Sequence, residues 1–301
     1  MLNIVDMASY QSGADISKMT TTDGCIIKAS EGSSDRSNPY FKKWCDQTLA
    51  VGKKLGAYHY LRGIGAQAEA DIFCKKVEPY LGKIILAADW ETSVNNDPSK
   101  QGYNKRFNDP AYCLEFMNLV YKKTGVKCLF YTMDSYLDIH DCSPIAKKGY
   151  RLWIAQYANM KRSDFKANPW QDGTYPGFSS YVMHQYSSVG GVTGYSGNID
   201  KSIWLGDGLL WDFIAAGEKE TSAKVIPDDK LPTLRKGSVG AQVALVQWAV
   251  GVTIDFCYGS ETEERVKMFQ TANGLTPDGV VGPKTWPYIL AQCNKTGRNF
   301  G

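Results

Sequence analysis

Short apolar runs alternate with longer amphipathic stretches through the first half of the chain. The runs are rich in β-branched and aromatic residues and predict strands, whereas apolar residues spaced three and four apart predict helices between them. Strands that alternate with helices indicate a parallel sheet. The predicted strands are 2–5, 24–29, 55–61, 84–88, 127–132, 152–156 and 181–185, and the predicted helices are 41–51, 66–80 and 109–123.

Seven or eight strands within about 215 residues fit a closed β/α barrel better than an open sheet. Helical periodicity becomes scarce after about residue 145, so we expect the second half of the barrel to be irregular. The predicted fold class is α/β: an irregular, TIM-like (β/α) barrel followed by a small helical domain. In such barrels the reactive groups lie at the carboxyl ends of the strands.

A linker is predicted between the two domains. Residues 217–232 are polar and charged, contain two prolines and show no apolar periodicity, which is typical of a flexible connection. The predicted organisation is therefore a barrel domain at 1–216, a linker at 217–232 and a second domain at 233–301.

An internal repeat follows the linker. Asp and Gly predict a turn in each copy, and Thr predicts a cap for the helix that follows. These residues specify a small helical domain and do not by themselves indicate a ligand. The first copy is Asp255-x-x-Tyr258-Gly259-x-x-Thr262 and the second is Asp278-x-x-Val281-Gly282-x-x-Thr285.

Composition excludes several classes of function. The apolar fraction of 43% and the charged fraction of 22% are those of ordinary globular proteins, and a net charge of +3 is too small to indicate nucleic-acid binding. No apolar run approaches the ~18 residues of a membrane span. The first residues also lack a basic region followed by an apolar core, so we expect no signal peptide and no stable membrane association.

Cysteine and histidine usage argues against a metal site. The eight cysteines contain no C-x-x-C pair, and none of the three histidines lies four residues from another. We expect reduced and mostly buried thiols, no zinc site and no cofactor. The chemistry is therefore expected to depend on carboxylates.

The most informative stretch is I-I-L-A-A-D-W-E, which ends in Asp89 and Glu91. Side chains alternate across a strand, so these two acids share one face while Trp90 points to the other. Repulsion and burial raise one pKa, which leaves a proton donor beside an anion, as acid-assisted glycosidic cleavage requires. Asp-x-Glu also occurs at ordinary strand ends and in Mg²⁺ or Ca²⁺ sites.

Further segments place polar or aromatic groups at predicted strand ends. They read I-V-D-M-A-S-Y-Q, I-I-K-A-S-E-G, G-A-Y-H-Y, L-F-Y-T, L-W-I-A-Q-Y, H-Q-Y-S and G-N-I-D. In this order and spacing, over about residues 2–212, the set resembles the glycoside hydrolase family 25 lysozymes. The resemblance implies an N-acetylmuramidase that cuts the β-1,4 bond between N-acetylmuramic acid and N-acetylglucosamine, on an irregular barrel.

The resemblance also implies roles for individual residues. Glu91 would be the general acid, and Asp89, Asp6 and Asp200 would keep it protonated and stabilise positive charge on the sugar. Either one acid or the substrate's own acetamido group would attack, and the sequence leaves both routes open. The implied substrate contacts are Tyr58, Tyr60, Tyr131, Trp153, Gln156, Tyr157, Gln185 and Lys28.

Several of these residues also have a purely structural interpretation. Asp200 and Asp6 could cap helices, and Lys28 could form an ion pair with Glu31. The aromatic residues on strands could simply be core. Of the G-A-Y-H-Y strand, either the tyrosines or His59 face the interior, and the family pattern favours the tyrosines.

Two departures from the family pattern stand out in the barrel region. E-G-S-S-D-R-S-N-P-Y has an apparent extra residue, with Asp35 near the place where relatives have a tyrosine, so one substrate-contacting aromatic is expected to be missing. Trp90 is bulkier than the residue that most relatives carry between the paired acids, which should leave the chemistry unaffected.

Residues 232–292 resemble the peptidoglycan-binding-like three-helix module. One departure is Phe256, where the usual turn has glycine, so that turn is expected to differ in shape. A tethered module of this kind would raise the effective concentration of the barrel at an insoluble wall.

The sequence thus predicts a two-domain peptidoglycan hydrolase of bacteriophage origin, an endolysin. It would accumulate in the host cytoplasm, reach the wall when a holin opens the membrane, and cause cytolysis with antimicrobial effect. The alternatives are a bacterial autolysin, a chitinase-like or glucosaminidase activity, and a non-catalytic wall-binding protein.

Overall fold

The computed structural model describes residues 1–32, 38–91, 109–162, 164–178, 180–206, 208–217 and 231–295. The chain divides into two compact units. One is Met1–Phe178 with Met183–Lys219, and the other is Ser179–Val182 with Glu220–Gly301. Most of the predicted linker and the residue Asp35 lie outside the described residues, so the predicted domain boundaries at 216 and 233 stay a prediction.

The first unit is a closed barrel of eight strands that follow one another around the ring. Each of the seven predicted strands overlaps an observed one, and the predicted barrel is confirmed. The strands are β1 Leu2–Met7, β2 Gly24–Glu31, β3 Lys54–Tyr60, β4 Ile84–Asp89, β5 Leu129–Met133, β6 Arg151–Ala155, β7 Met183–Ser187 and β8 Asp200–Trp204.

Strand β8 differs from the prediction of a parallel sheet. It runs antiparallel to both neighbours, β1 and β7, whereas the other adjacent pairs are parallel. The described connection from β7 to β8 contains no helix. Parallel strands need a long crossover and antiparallel strands do not, so this short connection reverses the chain.

The helices surround the barrel unevenly. Three long ones occupy the first half, two short ones follow β5, and no helix lies between β6 and β8 in the described ranges, as the fading periodicity predicted. Before β6 they are α1 Phe41–Ala50, α2 Ala66–Val77, α3 Pro110–Thr124, α4 Asp134–Ile139 and α5 Ser143–Lys147, and α6 Gly208–Ala215 follows β8.

Helix α3 shows how local sequence defines these elements. Asp109 accepts a hydrogen bond from the amide of Ala111 (2.9 Å) and caps the first turn. At the other end Gly125 has a φ of 76°, the left-handed conformation that glycine adopts without a steric penalty. The helix therefore begins and ends where its capping residues place it.

Alternation at the end of β4 directs the acids inward. Trp90 is completely buried on the outer side, where its ring centroid lies 5.9 Å from that of Phe130 and 5.1 Å from those of Tyr136 and His140. Asp89 and Glu91 consequently face the barrel interior, as their spacing predicted.

The second unit contains the predicted three helices, α7 Ala241–Val250, α8 Ser260–Ala272 and α9 Trp286–Lys295. They pack around a core that includes Val243, Val246, Val266 and Ile289. This part of the fold prediction is confirmed.

Two buried glutamines make the same set of hydrogen bonds, one glutamine in each copy of the repeat. Each side-chain amide donates to the Asp, to a backbone carbonyl and to the Thr of its copy. Gln247 donates to Asp255 Oδ1, Cys257 O (2.9 Å) and Thr262 Oγ1 (3.2 Å), and Gln270 donates to Asp278 Oδ1 (2.8 Å), Val280 O (3.0 Å) and Thr285 Oγ1 (3.3 Å).

Two expectations about the first copy were wrong. The N-cap of α8 is Gly259 without a side-chain bond, and Thr262 lies inside the helix, where its hydroxyl is held by the glutamine instead. Phe256 has a φ of 67°, close to the 71° of Gly279 in the second copy, so the turn keeps its shape. A left-handed conformation costs a residue with a Cβ about 1–2 kcal/mol.

Candidate active site

Four acids meet at one end of the barrel. Asp6 and Asp89 lie at the carboxyl ends of β1 and β4, and Glu91 follows β4 directly. Asp200 begins β8, and because β8 is antiparallel its first residue lies at the same end. The acids line a cavity of about 210 Å³ together with Tyr58, Tyr131, Trp153, Tyr157, Gln185 and Ser188.

Asp6 and Asp200 form a carboxyl pair. They are direct partners in the register of β1 and β8, and their side chains hydrogen bond to each other. Burial raises the pKa of Asp6 well above its usual range, and the charge of Asp200 adds to the effect. Burial also raises the pKa of Asp200. Like charges directly opposite each other are unfavourable, so ionisation of one carboxyl group opposes ionisation of the other.

Neither of these two acids caps a helix. Asp200 lies in a strand, and the 3₁₀ turn Ser9–Gln11 after β1 has Ala8 at its N-cap position. The capping interpretation is therefore wrong for both Asp200 and Asp6.

Gln185 connects the carboxyl pair to two tyrosines. Its Nε2 donates to Asp6 Oδ2 (2.9 Å), and its Oε1 accepts from the hydroxyl groups of Tyr131 (2.9 Å) and Tyr157. Because the two hydroxyl groups occupy the carbonyl oxygen, the amide nitrogen is left facing Asp6. This chain of hydrogen bonds fixes one wall of the cavity.

Glu91 has the pKa of a proton donor that works near neutrality. Burial raises its pKa to about 7, and the negative charge of Asp200 contributes, while Lys28 acts in the opposite direction. Burial and the charge of Glu91 raise the pKa of Asp89 well above its usual range. Asp89 Oδ1 is buried and has no hydrogen-bond partner among the described residues.

This arrangement can donate a proton to an oxygen atom bound in the cavity. An acid with a pKa near the working pH holds a proton and still releases it readily. The remaining carboxyl groups provide negative potential where a sugar develops positive charge.

Lys28 and Tyr60 lie beside the cavity and are not among the residues that line it. Lys28 Nζ is 2.6 Å from Glu31 Oε2, so the predicted ion pair is present. The ring centroid of Tyr60 is 4.8 Å from Lys28 Nζ and 4.9 Å from Arg62 Cζ, and Arg62 also pairs with Glu31. These ion pairs hold Lys28 beside the cavity. Its positive charge opposes the rise in the pKa values of Asp89 and Glu91.

The structure does not bring Gln156 into the cavity. Its side-chain oxygen accepts from the backbone amide of Asp172 (3.1 Å), and its backbone oxygen is bonded to His184 Nε2 (2.8 Å). Its predicted contact with substrate stays a prediction. Gln156 holds the long β6–β7 connection.

The alternation of β3 is resolved as the family pattern indicated. Tyr58 lines the cavity, whereas His59 is completely buried on the other side and bonded to Ser30 and Glu69 (2.8 Å each). His59 is a hydrogen-bonded core residue.

Trp153 shows that an aromatic residue can serve both the core and the cavity. It lines the cavity, is almost fully buried, and donates from Nε1 to Ser202 Oγ (3.1 Å). Ser188 was missed by the sequence analysis. Its position directly after β7, one residue beyond the H-Q-Y-S segment, is the signal that indicates it.

In the part of the chain that the structure describes, no cluster of His, Cys, Asp or Glu is arranged to hold a metal ion. Within those same residues, no helix has the length and apolar character needed to cross a membrane. The seven cysteines whose side chains are described are all free thiols, and six of them are buried.

Comparison with known proteins gives two family matches. Residues 5–195 match the model of Glycosyl hydrolases family 25, and residues 241–287 match that of a peptidoglycan binding domain. The autolytic lysozyme of Clostridium acetobutylicum is 28% identical over 288 residues, which cover 93% of this chain and 76% of that protein.

Solved structures include similar barrels. The bacterial lysozyme from Streptomyces coelicolor has a TM-score of 0.58 at 21% identity, covering 71% of this chain and 97% of its own, and shows the shared fold. The CTP1L endolysin has a TM-score of 0.52 at 29% identity, covering 68% of this chain and 66% of its own.

Proposed function

Because this chain belongs to glycosyl hydrolase family 25, we propose that it is a muramidase with Glu91 as its general acid. The bond cleaved is the β-1,4 bond between N-acetylmuramic acid and N-acetylglucosamine in bacterial peptidoglycan. The observation that carries the proposal is the cavity with four acids, in which burial and Asp200 raise the pKa of Glu91 to about 7.

In the proposed reaction Glu91 protonates the oxygen of the leaving sugar. A positioned acid contributes about 10²–10⁴ in rate. Asp6, Asp200 and Asp89 favour the positive charge that develops at the anomeric carbon. Asp89 lines the cavity and has a carboxyl oxygen without a hydrogen-bond partner among the described residues, so it is proposed to orient the substrate's acetamido group. The acetamido oxygen would bond to the anomeric carbon as the leaving oxygen departs with the proton from Glu91, and water would then open the cyclic intermediate.

The second unit is proposed to hold the enzyme at the wall. Its match to a peptidoglycan binding domain supports this role. We keep the domain boundaries 1–216 and 233–301 with the linker 217–232 as part of the proposal. Tethering then raises the local concentration of the barrel at an insoluble substrate without any new contact to the scissile bond.

The biological setting is proposed to be that of a bacteriophage endolysin. Similarity to the CTP1L endolysin supports it, and similarity to an autolytic lysozyme supports the alternative of a bacterial autolysin. An endolysin of this kind would wait in the host cytoplasm without stable membrane association, and a holin would release it to cause cytolysis. Expression in a bacterium with and without a co-expressed holin tests the endolysin setting: lysis that depends on the holin is expected, and lysis without it would favour an autolysin.

Product analysis tests the chemistry. Purified peptidoglycan is digested with the protein, the new ends are reduced with borohydride, and the reduced sugar is identified by mass spectrometry. Muramitol is the expected end. Glucosaminitol would replace muramidase action with glucosaminidase action, and the absence of any new end would leave only a wall-binding protein.

A further inference from the structure

Lys201 is a buried lysine that the proposed reaction does not use. It follows Asp200 in β8, and because neighbours alternate, its side chain points away from the cavity. The residue is completely buried, and Nζ donates to the backbone oxygens of Val189 (2.8 Å) and Gly190 (2.8 Å), with Ile199 O at 3.4 Å.

All three carbonyl groups belong to the loop between β7 and β8. Val189 follows Ser188, which lines the cavity, and Ile199 precedes Asp200. The ammonium group therefore connects the two ends of the loop. Each of these ends adjoins a residue that lines the cavity, Ser188 at one end and Asp200 at the other. Without it, Val189 O would keep only the hydroxyl group of Ser187 (3.1 Å) and Gly190 O only the amide of Ile199 (3.3 Å), and the connection between the two ends would be lost.

The rest of the loop is tightly built around this centre. Asn198 Oδ1 accepts from the amide of Gly190 (3.0 Å), and Val192 and Tyr195 exchange backbone hydrogen bonds of 2.9 Å. A Cβ on Gly194 would lie 2.1 Å from the backbone oxygen of Lys18. The loop consequently has little freedom to relax if one connection is lost.

Stability alone does not account for a charge at this position. Burying an ammonium group is costly, and buried ions are often replaced by apolar side chains of similar volume with little loss of stability. A methionine would fill the same space. What a methionine cannot do is bind the loop carbonyls.

We propose that Lys201 is a positioning residue for hydrolysis, whose buried ammonium group fixes the β7–β8 loop and so holds Asp200 and Ser188 at the cavity. Its effect on turnover rests on the proposed function. Its effect on the loop does not, and can be measured separately.

The charges around Lys201 link it to the proton donor. The charged groups that act on its ammonium group are Asp200, the preceding residue of the same strand, and Asp164 and Arg162 on the β6–β7 connection. Its partners on β1 and β7, Val5 and Ser187, are uncharged. Burial lowers the pKa of Lys201, and Asp200 opposes that shift.

The positive charge in turn opposes the rise in the pKa of Asp200 that burial causes. The charge of Asp200 is, after burial, the main cause of the raised pKa of Glu91. Loss of Lys201 should therefore make Asp200 less ionised and lower the pKa of Glu91.

The test compares Lys201→Met with Lys54→Met. Lys54 is a partly exposed lysine that pairs with Asp212 (2.6 Å) where β3 begins, at the opposite end of the barrel, so the control makes the same substitution away from the loop and the cavity. For Lys201→Met we expect faster amide hydrogen exchange across 189–199. Turnover should fall severalfold to about 10²-fold, because small displacements of catalytic groups slow the reaction. KM should change little. The alkaline limb of the pH profile should move to lower pH. Lys54→Met should leave all three unchanged.

A second variant covers the case in which Lys201→Met does not fold. Asn198→Ala removes the acceptor for the Gly190 amide but keeps the ammonium group. We expect faster exchange and lower turnover with the alkaline limb in place. Wild-type exchange and turnover in a folded variant of either kind would overturn the proposal. If the wild-type protein cleaves no wall, the proposed function fails, and loop exchange still decides whether Lys201 fixes the loop.

Discussion

Two buried sites in the barrel unit contain carboxyl groups, one with the single acid Glu69 and one with Glu91 and three further acids, and their carboxyl groups behave in opposite ways. Glu69 is completely buried and accepts four hydrogen bonds. The donors are His59 Nε2 (2.8 Å), Tyr112 OH (2.6 Å) and the backbone amides of Arg62 (3.0 Å) and Ile64 (3.1 Å).

The pKa values follow the supply of donors. Burial alone would raise the pKa of Glu69, but its donors hold it below the usual range. In the acid cluster burial outweighs the opposing effects of Gln185, Lys28 and Lys201, so the pKa values of the four acids are raised. These acids are Asp6, Asp89, Glu91 and Asp200. Burial by itself therefore does not make a carboxyl group a proton donor; burial without enough donors does.

The two sites also differ in whether a substrate can reach them. A carboxylate only accepts, so His59 donates to Glu69 and accepts from Ser30, which gives the serine, histidine and acid of a nucleophilic triad. All three side chains have no exposed surface, so no substrate reaches the serine. The acid cluster, by contrast, lines an open cavity.

The largest effect should come from Glu91→Gln. Removing the proton donor should lower turnover on solubilised peptidoglycan by about 10²–10⁴-fold or more. Sedimentation with intact walls should be unchanged, because the second unit is untouched. The matched change Glu69→Gln should leave turnover per folded molecule near wild type. Equal losses in both variants would remove the functional distinction between the two groups.

Glu69→Gln should instead affect folding. The amide replaces an acceptor by a donor that faces other donors, and breaking a buried charged network costs about 3 kcal/mol of unfolding free energy. Urea unfolding measures this loss. Glu78→Gln, at an exposed glutamate just after α2, is the control and should change little. A Glu69 variant as stable as that control would show that the four hydrogen bonds add nothing.

The pH dependence of stability should also divide the two groups. The folded protein keeps a proton on Glu91 up to about pH 7, whereas an unfolded glutamate releases it near 4.5. Stability from this group is therefore present at low pH and is lost as the pH rises through about 7, by as much as about 3 kcal/mol. Glu69 has the opposite sign: its contribution is lost as the pH falls below 4.5.

Urea unfolding of wild type and Glu91→Gln, from below pH 4.5 to above pH 7, tests this sign. The variant should lose less stability on the alkaline side. An identical pH dependence in the two proteins would mean that the folded pKa of Glu91 is not raised. Activity of the wild type should decline over the same range, because the proton donor becomes ionised.

The sequence predicted what depends on neighbours in the chain. Alternation placed Asp89 and Glu91 on one face and Trp90 on the other, and the runs of β-branched residues located seven strands. The sequence did not predict that β8 is antiparallel to its neighbours. The connection before β8 has no helical periodicity, and nothing in it indicates the direction of the next strand. The pairing of Asp6 with Asp200 depends on that same strand, because it joins two residues that are far apart in the sequence but adjacent where the barrel closes.

Other features escaped because their partners are distant or unspecific. The carbonyl groups around Lys201 are backbone atoms, so no residue type marks them. The donors to Glu69 come from β3, its following loop and α3. In the second unit, however, a signal was present: Gln247 and Gln270 stand at the same offset before the repeated aspartates, and the repeat could have been extended to include them.

The smallest effects should come from deleting one hydroxyl group in each region. Tyr112 donates to Glu69 Oε1 and accepts from the amide of Gly65 (2.9 Å), so Tyr112→Phe leaves buried groups unsatisfied and should cost about 1–2 kcal/mol of unfolding free energy. Tyr131→Phe should cost less, because Tyr157 still donates to Gln185. Its turnover should fall severalfold, since Gln185 is then oriented by one hydroxyl group, whereas that of Tyr112→Phe should stay unchanged. Urea unfolding and steady-state kinetics on both variants measure these differences. If Tyr112→Phe slowed turnover as much as Tyr131→Phe, the network around Glu69 would have to act on the acid cluster, and rigidity and reactivity would not be separate in this barrel.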